Sequence, residues 1–187
     1  MEWPETPRLL SVPAASFAAM EFTQVQRHEA DEVVAFMTAE EWPFHTEPKA
    51  DGGAVHARVA GGAYDDAFWI TERQDRLGIV RLLDLDDGTP LFDLRVRASA
   101  RGHGVGTAAV RWLTSHVFTN YETNRIEGTT RQDNDAMRRI FTKAGYVKEA
   151  HYRDAWPGPD RLYDSVGYAI LRQDWASGTV TAVNWSG

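Results

Sequence analysis

Several short stretches of the chain alternate between hydrophobic and polar residues, which is the pattern of strands buried on one face. In the clearest of them, the even-numbered positions from 92 to 96 are apolar and the odd-numbered positions from 93 to 97 are charged. The stretches with strand character are 20–26, 66–74, 76–87, 91–97, 124–132, 146–156 and 165–173. Because these strands are short and separated by turns or helices, the pattern favours a sheet that is mainly antiparallel.

Hydrophobic residues recur every three or four positions in four other stretches, as they do on one face of a helix. This spacing predicts helices over 28–42, 54–61, 105–116 and 133–146. In the last of these, Asp133 or Asn134 can cap the start, and Gly145 stands where a left-handed residue ends a helix. Strands and helices therefore mix along the chain, and we expect an α/β fold.

The segment VRASARGHGVGTAAVRWL, residues 96–113, places three glycines directly before one predicted helix. A glycine turn exposes backbone N–H groups at the positive end of that helix, where phosphate binds well. Arginines at 95, 97, 101 and 111 oppose the single acid Asp93 in this region, which favours a polyphosphate ligand.

Other interpretations of the glycine segment compete with phosphate binding. The glycines can serve only a tight turn, and the arginines can be merely solvated. A dinucleotide-binding fold is a third reading, although the turn lies deep in the chain, after several strands. A P-loop is excluded because no Gly-Lys-Ser/Thr sequence follows.

Composition narrows the choice of function. The chain has 187 residues, a net charge of −7 and no cysteine, so disulfides, thiolate zinc sites and cysteine nucleophiles are excluded. The negative charge argues against binding to nucleic acid or anionic membranes, and no apolar run has the length of a membrane helix. The histidines have no metal-like spacing with acids. We expect a cytoplasmic protein with an N-terminal extension (1–19), one compact domain (20–175) and a C-terminal tail (176–187).

Two motifs together carry a family resemblance. The segment with Arg101, Gly104 and Gly106 resembles the acetyl-CoA-binding motif of the GNAT N-acetyltransferase superfamily, and NDAMRRIFTKAGYVKEA, about thirty residues on, resembles the next motif of that family. The local sequence looks most like the RimJ/RimL-type branch. The resemblance covers residues 20–173 and implies a GNAT fold, with a central sheet of about six to seven strands and helices on both faces. It also implies acetyl-CoA as cosubstrate, no metal, and a homodimer as one option for assembly.

The resemblance assigns roles to individual positions. Backbone groups from Val96 to Ala98 would pair with the pantetheine arm, amides from Gly104 onward would surround the pyrophosphate, and Asn134 would bind the pantetheine or order a water. The expected cofactor-binding residues are Val96, Arg97, Ala98, Arg101, Gly102, His103, Gly104, Val105, Gly106, Thr107, Ala108, Asn134 and Phe141.

The implied reaction is direct transfer of an acetyl group to a primary amine of a small molecule or a peptide N-terminus. Many family members carry a tyrosine as general acid where this chain has Phe141, so the acid is a tyrosine elsewhere, such as Tyr146 or Tyr152, or water. Without that acid, a catalytically inactive acetyl-CoA-binding sensor or scaffold is the alternative function.

Candidates for the remaining roles come from the predicted strands and from the EEWPFH loop. The expected catalytic residues are Glu127, Asn134 and His45, and the expected substrate contacts are Trp42, Phe44, His45 and Asp93. Ordinary structural roles compete with each assignment. Asp93 and Glu127 can form salt bridges with Arg95 or Arg131, while the two aromatic residues can anchor an irregular loop. The amine acceptor is not identified by the sequence.

Overall fold

The computed structural model describes residues 20–185, so the expected extension over 1–19 and the last two residues of the tail lie outside this range. Seven strands and five α-helices form within it. The strands are β1 (Met20–Gln24), β2 (Ala67–Glu72), β3 (Asp75–Leu83), β4 (Leu91–Val96), β5 (Arg125–Arg131), β6 (Val147–Pro157) and β7 (Leu162–Leu171). The helices are α1 (Ala30–Thr38), α2 (Gly52–Ala60), α3 (Val105–Asn120), α4 (Asp135–Lys143) and α5 (Arg172–Ser177).

The strands form two sheets. The first has the order β1-β2-β3-β4 and the second has the order β5-β7-β6, and every neighbouring pair is antiparallel. The two sheets meet where the Glu127 N–H donates to the Pro90 carbonyl at 2.9 Å. The expected mixed α/β class, the number of strands and the antiparallel pairing are confirmed. Instead of one continuous sheet, however, β4 and β5 part beyond this hydrogen bond and leave a gap.

One edge of β4 faces that gap. The Arg97 N–H, just after β4, donates to the Leu77 carbonyl at 2.9 Å, in register with the pairing of β3 and β4. Because backbone groups of successive strand residues alternate between the two sides of a strand, those of Phe92, Leu94 and Val96 belong to the open edge. The gap is therefore bordered by main-chain donors and acceptors.

Helices cover both faces of the first sheet, as expected. Trp69 and Ile79 pack with the buried side chains of α1 and α2. The neighbouring positions Val80 and Leu82 pack instead with α3 and α4. Successive side chains of β2 and β3 therefore pack into two separate hydrophobic cores, one on each face of the sheet.

Local signals in the sequence locate some element ends correctly. Asn134 is the residue that caps α4, its side chain accepting from the Met137 N–H, and Gly145 has the expected left-handed backbone with φ 88°. The predicted helix over 28–42 is too long, because α1 ends at Thr38. The chain then turns, and the Trp42 N–H donates to the Pro48 carbonyl at 2.7 Å.

Candidate functional site

Two adjoining cavities occupy the gap between β4 and β5. The larger has a volume of about 360 Å³ and reaches Arg81, Thr129 and Trp156. The smaller has a volume of about 150 Å³ and reaches Val96 and Ile140. The walls that the two cavities share are formed by Phe44, His45, Leu94, Arg95, Asn134 and Met137. The junction of the cavities therefore contains two of the three expected catalytic residues, His45 and Asn134.

The glycine turn leaves donors free at the start of α3. Gly102 and Gly104 both have positive φ, 80° and 87°, a conformation that glycine adopts without strain. Within residues 20–185 no acceptor is hydrogen-bonded to the backbone N–H groups of residues 102–107. Gly104 caps α3 without a side-chain hydrogen bond, and His103 is exposed. Free amides at a helix N-terminus fit a phosphate group.

Gly106 also allows α3 and α4 to approach each other closely. A Cβ at this position would lie 2.6 Å from Cδ1 of Ile140 on α4. Val105 beside it is buried, whereas Thr107 and Ala108 are only partly buried. The turn is thus held against α4, whose Ile140 lines the smaller cavity.

Arg101 and Glu40 occupy the backbone groups expected to bind the pantetheine arm. Arg101 Nε donates to the Val96 carbonyl at 2.9 Å, and its Nη2 lies 3.2 Å from Glu40 Oε2. The same Glu40 oxygen accepts from the Ala98 N–H at 2.9 Å. These hydrogen bonds satisfy groups at the end of the open strand that would otherwise be free for a ligand.

The other arginines of the segment are also engaged elsewhere. Arg97 Nε donates to the Arg76 carbonyl, and the Arg97 guanidinium lies 4.6 Å from the ring centre of Phe36, on the face covered by α1. Arg111 donates to the Lys143 carbonyl at 2.8 Å. Both guanidinium groups are therefore hydrogen-bonded to main-chain carbonyls outside the glycine turn. The free donors at the turn are main-chain amides.

His45 and Asp93 form a pair between the loop and β4. His45 Nε2 lies 3.0 Å from one oxygen of Asp93, and Arg95 Nε lies 3.3 Å from the other. Burial alone would raise the pKa of the Asp93 carboxyl, but the hydrogen bond from His45 and the charges of Arg95 and Arg81 outweigh it, so the pKa lies well below its usual range. His45 Nδ1 is buried and has no hydrogen-bond partner. In the neutral tautomer that donates from Nε2 to the carboxylate, Nδ1 is the nitrogen that carries the free lone pair.

The loop over residues 39–51 is held in place by contacts with Met37 of α1 and with Arg131 of β5. Trp42 is 1% exposed and its indole donates to the Met37 carbonyl at 2.8 Å, so it serves as an anchor as well as a wall of the smaller cavity. Phe44 lines both cavities. Arg131 of β5 donates to the Pro43 carbonyl at 3.3 Å and lies 5.1 Å from the ring centre of Phe44. These contacts set the position of His45.

Asn134 and Phe141 line the larger cavity from the side of α4. Asn134 Nδ2 donates to the Thr130 hydroxyl at 3.0 Å while its Oδ1 caps the helix. The Phe141 ring is 1% exposed and stacks on Tyr168 at 4.7 Å. Both side chains are held in place by these contacts, and Phe141 has no proton to donate.

Three other candidates lie outside both cavities. Glu127 pairs with Arg125 at 2.6 Å near the joined end of the sheets. Tyr146 is buried, its hydroxyl is 2.9 Å from that of Thr114, and burial raises its pKa. Tyr152 is 52% exposed on β6. The structure does not bring these side chains to the junction.

The sequence analysis missed several residues of the larger cavity. Arg58, Arg81 and Trp156 come from α2, β3 and β6, far apart in the sequence. Strand alternation indicates which residues share a face of one strand, but only the register between β3 and β4 places Arg81 opposite Asp93. Glu40 was missed as well, and nothing in its local sequence indicates the contact with Ala98.

Among the described residues there is neither a cluster of metal ligands nor a membrane-spanning helix. Between residues 20 and 185, no three histidine, aspartate or glutamate side chains gather closely enough to hold a metal ion. None of the helices in this range has both the length and the apolar character needed to span a membrane.

Known proteins resemble this chain in sequence and in fold. Residues 19–147 match the family described as Acetyltransferase (GNAT) domain. A Bacillus subtilis (strain 168) protein named "Putative ribosomal N-acetyltransferase YdaF" is 30% identical over 100 residues, which are 52% of this chain and 55% of that protein. The chain spans about half the length of the curated relatives it matches.

Solved structures are similar over most of the chain. An acetyltransferase of the GNAT family from Bacillus anthracis has a TM-score of 0.71 at 15% identity, covering 84% of this chain and 99% of that one. A dodecameric spermidine N-acetyltransferase from Vibrio cholerae has a TM-score of 0.70 at 15% identity, covering 83% and 95%. At this level of identity the similarity establishes the fold alone.

Proposed function

Since the chain belongs to the acetyltransferase (GNAT) family, we propose that it is an acetyl-CoA-dependent N-acetyltransferase acting on a primary amine. The observation that carries the proposal is the pair of adjoining cavities between β4 and β5, with His45 and Asn134 at their junction. One cavity leads towards the free amides of α3, and the other is open to a second ligand. Such a site can hold two reactants end to end, which supplies much of the rate of a bimolecular reaction.

The coenzyme would supply an activated acetyl thioester and lie along the smaller cavity. The amides of residues 102–107 would bind its pyrophosphate, and the open edge at Val96 and Ala98 would bind its pantetheine arm. Arg101 and Glu40 now engage those two residues, so they have to release them when the coenzyme binds. The proposal therefore retains the expected backbone groups of Val96 and Ala98, leaves out the Arg97 N–H because it donates to the Leu77 carbonyl, and assigns Arg101 to a contact that changes.

His45 and Asp93 are the proposed base. An amine attacks only when it is neutral, so the site has to remove one proton from the ammonium form. His45 Nδ1 would accept that proton, and the ionised Asp93 would stabilise the imidazolium through Nε2. The new nitrogen–carbon bond forms as the carbon–sulfur bond breaks, the nitrogen gives up its second proton to water, and the sulfur leaves as a thiolate.

Water is the proposed acid. None of the tyrosines of residues 20–185 lines either cavity, and Phe141 stands where many relatives carry a tyrosine. The thiolate of coenzyme A is a weak base, so it leaves without a dedicated acid more readily than an alkoxide would. Asn134 holds the start of α4 beside the junction, and Glu127 has no role in this scheme.

The test uses the full chain with acetyl-CoA and a panel of amines. We expect calorimetry to show binding of coenzyme A, and release of free thiol to depend on the amine added. Failure to bind coenzyme A and acetyl-CoA at millimolar concentration would overturn both the site and the function.

A second candidate is an acetyl-CoA-binding sensor or scaffold without catalysis. Two observations favour it: Phe141 has no hydroxyl, and Glu40 and Arg101 close the pantetheine end of the gap. Tight binding with no thiol release on any amine would select this candidate.

The cellular location, the family branch and the oligomeric state of the protein also belong to the proposal. A cytoplasmic location fits a chain without cysteine and a substrate made in the cytoplasm. The relative named for ribosomal N-acetylation supports the RimJ/RimL-type branch. A homodimer stays a prediction, and sedimentation of the purified chain would test it.

A further inference from the structure

The larger cavity contains more guanidinium groups than carboxylates. Arg58, Arg81 and Arg95 line it together with Glu47 and Asp93. Arg58 pairs with Glu47 at 3.3 Å, and Arg95 pairs with Asp93 at 3.3 Å. Arg81 has no hydrogen bond and no ion pair with any residue from 20 to 185. Arg81 therefore has no direct ion-pair partner, and its charge acts on Asp93 only from beyond ion-pair distance.

The strand register explains why Arg81 is unpaired. Arg81 on β3 stands opposite Asp93 on β4, and side chains at opposed positions share a face of the sheet. Both oxygens of Asp93 are already engaged, one by His45 and the other by Arg95. The Arg81 guanidinium lies 5.1 Å from the ring centre of Tyr64, a contact that provides no negative charge.

Two buried donors at this cavity also lack acceptors. They are Nε of Arg81 and Nη1 of Arg95. A buried donor without a partner is unfavourable, so such groups are usually satisfied by another part of the protein, by water or by a ligand. Carboxylate matches the geometry of guanidinium, because its two oxygens can accept two parallel N–H bonds.

We infer that the amine acceptor of this site also carries a carboxylate and that Arg81 binds it. The inference rests on the proposed function and narrows its substrate to a class, the small amino carboxylates. His45 and Arg81 both neighbour Asp93, so the amine and the carboxylate belong to one compact molecule. A cavity of about 360 Å³ has room for such a molecule. Like-charge repulsion from Arg81 and Arg95 disfavours a polyamine.

The first experiment compares each free amino acid with its own carboxamide, with spermidine as the polyamine. Thiol release from acetyl-CoA is measured at one pH for all acceptors. The carboxamide has the more easily deprotonated amine, so chemical reactivity alone favours it. We expect the opposite order, with kcat/KM for the best amino acid at least about tenfold above that of its amide, the size of a lost hydrogen bond to a charged group.

Arg81→Gln identifies the group responsible for that preference. The variant should lose about ten- to a hundredfold in kcat/KM for the amino acid and less than about threefold for the amide. Arg81→Lys keeps the charge but not the planar fork, so it should fall between the two. Arg27→Gln is the matched control, because Arg27 pairs with Asp65 outside both cavities. Melting temperatures establish that each variant is folded.

A binding measurement separates this inference from the proposed function. Calorimetry with coenzyme A present compares an N-acetyl amino acid with its N-acetyl amide in wild type and in Arg81→Gln. Binding of the acid that depends on Arg81 supports the inference even if no acceptor is turned over. The inference is overturned if wild type prefers amides or spermidine, or if Arg81→Gln weakens acid and amide equally. In that case, turnover of spermidine would still support the proposed function, although the inference about a carboxylate would be wrong.

Discussion

The two cavities of the gap are built in different ways. The smaller is lined mainly by apolar side chains and reaches Arg101, the residue before the glycine turn, whereas the larger is lined by charged side chains from α2, β3, β4 and a loop. Main-chain recognition depends on the path of the chain, and side-chain recognition depends on which residues that path brings together. The end that would hold a common coenzyme is therefore generic, and the end that would hold the acceptor is particular to this chain.

The largest expected effect comes from breaking the His45–Asp93 pair at the junction. Asp93→Asn keeps the shape of the side chain but removes the charge that would stabilise an imidazolium. We expect kcat to fall by about 10²- to 10⁴-fold, the usual contribution of a general base, with the Kd of coenzyme A nearly unchanged. Thiol release and calorimetry measure the two quantities.

Asp164→Asn is the matched control for that variant. Asp164 on β7 pairs with His151 on β6 at 2.7 Å, and neither residue lines a cavity of the site. Its turnover should remain close to that of wild type. Equal losses in the two variants would mean that the junction has no special chemistry.

Acid unfolding gives an independent measure of the same carboxylate. His45 and Arg95 hold the pKa of Asp93 below its usual range, so the group stabilises the folded state at neutral pH. That stabilisation is lost as the pH falls below about 4. Wild type should therefore exceed Asp93→Asn in free energy of unfolding near neutral pH, and the difference should shrink on acidification. A difference that does not change with pH would contradict the assignment.

The next largest effect concerns the main-chain end of the gap. Gly104→Asp places a carboxylate beside the free amides of α3, where it would repel phosphate. We expect the Kd of coenzyme A to rise at least about tenfold, a change of about 1.4 kcal/mol in binding free energy.

Gly178→Asp serves as the control for position 104. Gly178 also has positive φ, 70°, and a Cβ there meets nothing within 4 Å. Both variants place aspartate at a positive φ, so a comparable loss of affinity in both would argue against a phosphate site at α3.

A smaller effect should appear where the wall of the larger cavity meets β5. A Cβ on Gly128 would lie 2.6 Å from the ring of Phe141, which cannot retreat because it stacks on Tyr168. Gly128→Ala should lower the free energy of unfolding by about 1–3 kcal/mol and raise the KM of the amine more than the Kd of coenzyme A. Urea denaturation and steady-state kinetics measure these changes.

Gly53→Ala is the comparison for this substitution. Gly53 lies in the first turn of α2, and its Cβ would approach no atom more closely than Oδ1 of Asp51, at 3.4 Å. The substitution should therefore leave the free energy of unfolding unchanged or raise it slightly. A destabilisation equal to that of Gly128→Ala would show that close approach to Phe141 is not the cause.

The smallest effect is expected at Glu40. Glu40→Gln removes a negative charge from the pantetheine end while keeping an oxygen for the Ala98 N–H. Coenzyme A should bind about two- to fivefold more tightly, since a partly exposed charge contributes at most about 1 kcal/mol. Glu41→Gln, which removes a surface pair with Lys49, should not change the Kd. Weaker binding in Glu40→Gln would indicate that the carboxylate assists the coenzyme.

The contrast between main-chain and side-chain recognition also explains which features could be predicted from the sequence. Gly104, Asn134 and Gly145 were readable because capping and positive φ depend on near neighbours in the chain. The role of Arg81 could not be predicted in this way, because it depends on the register between β3 and β4. Glu127 lies outside both cavities and pairs with Arg125, which stands two residues earlier on the same face of β5 and could have been noticed in the sequence. The net charge of the chain was equally uninformative about the acceptor, since a total of −7 coexists with a surplus of arginine in the larger cavity.

The loop over residues 39–51 spans both sheets while belonging to neither. Glu40 holds it to the end of the first sheet, and the Pro43 carbonyl holds it to Arg131 of the second. Its length therefore helps to determine how far apart the two walls stand. Insertions or deletions in this one segment would alter which molecules fit, without replacing any residue that touches them. Selectivity in such a protein can diverge by changes in spacing alone.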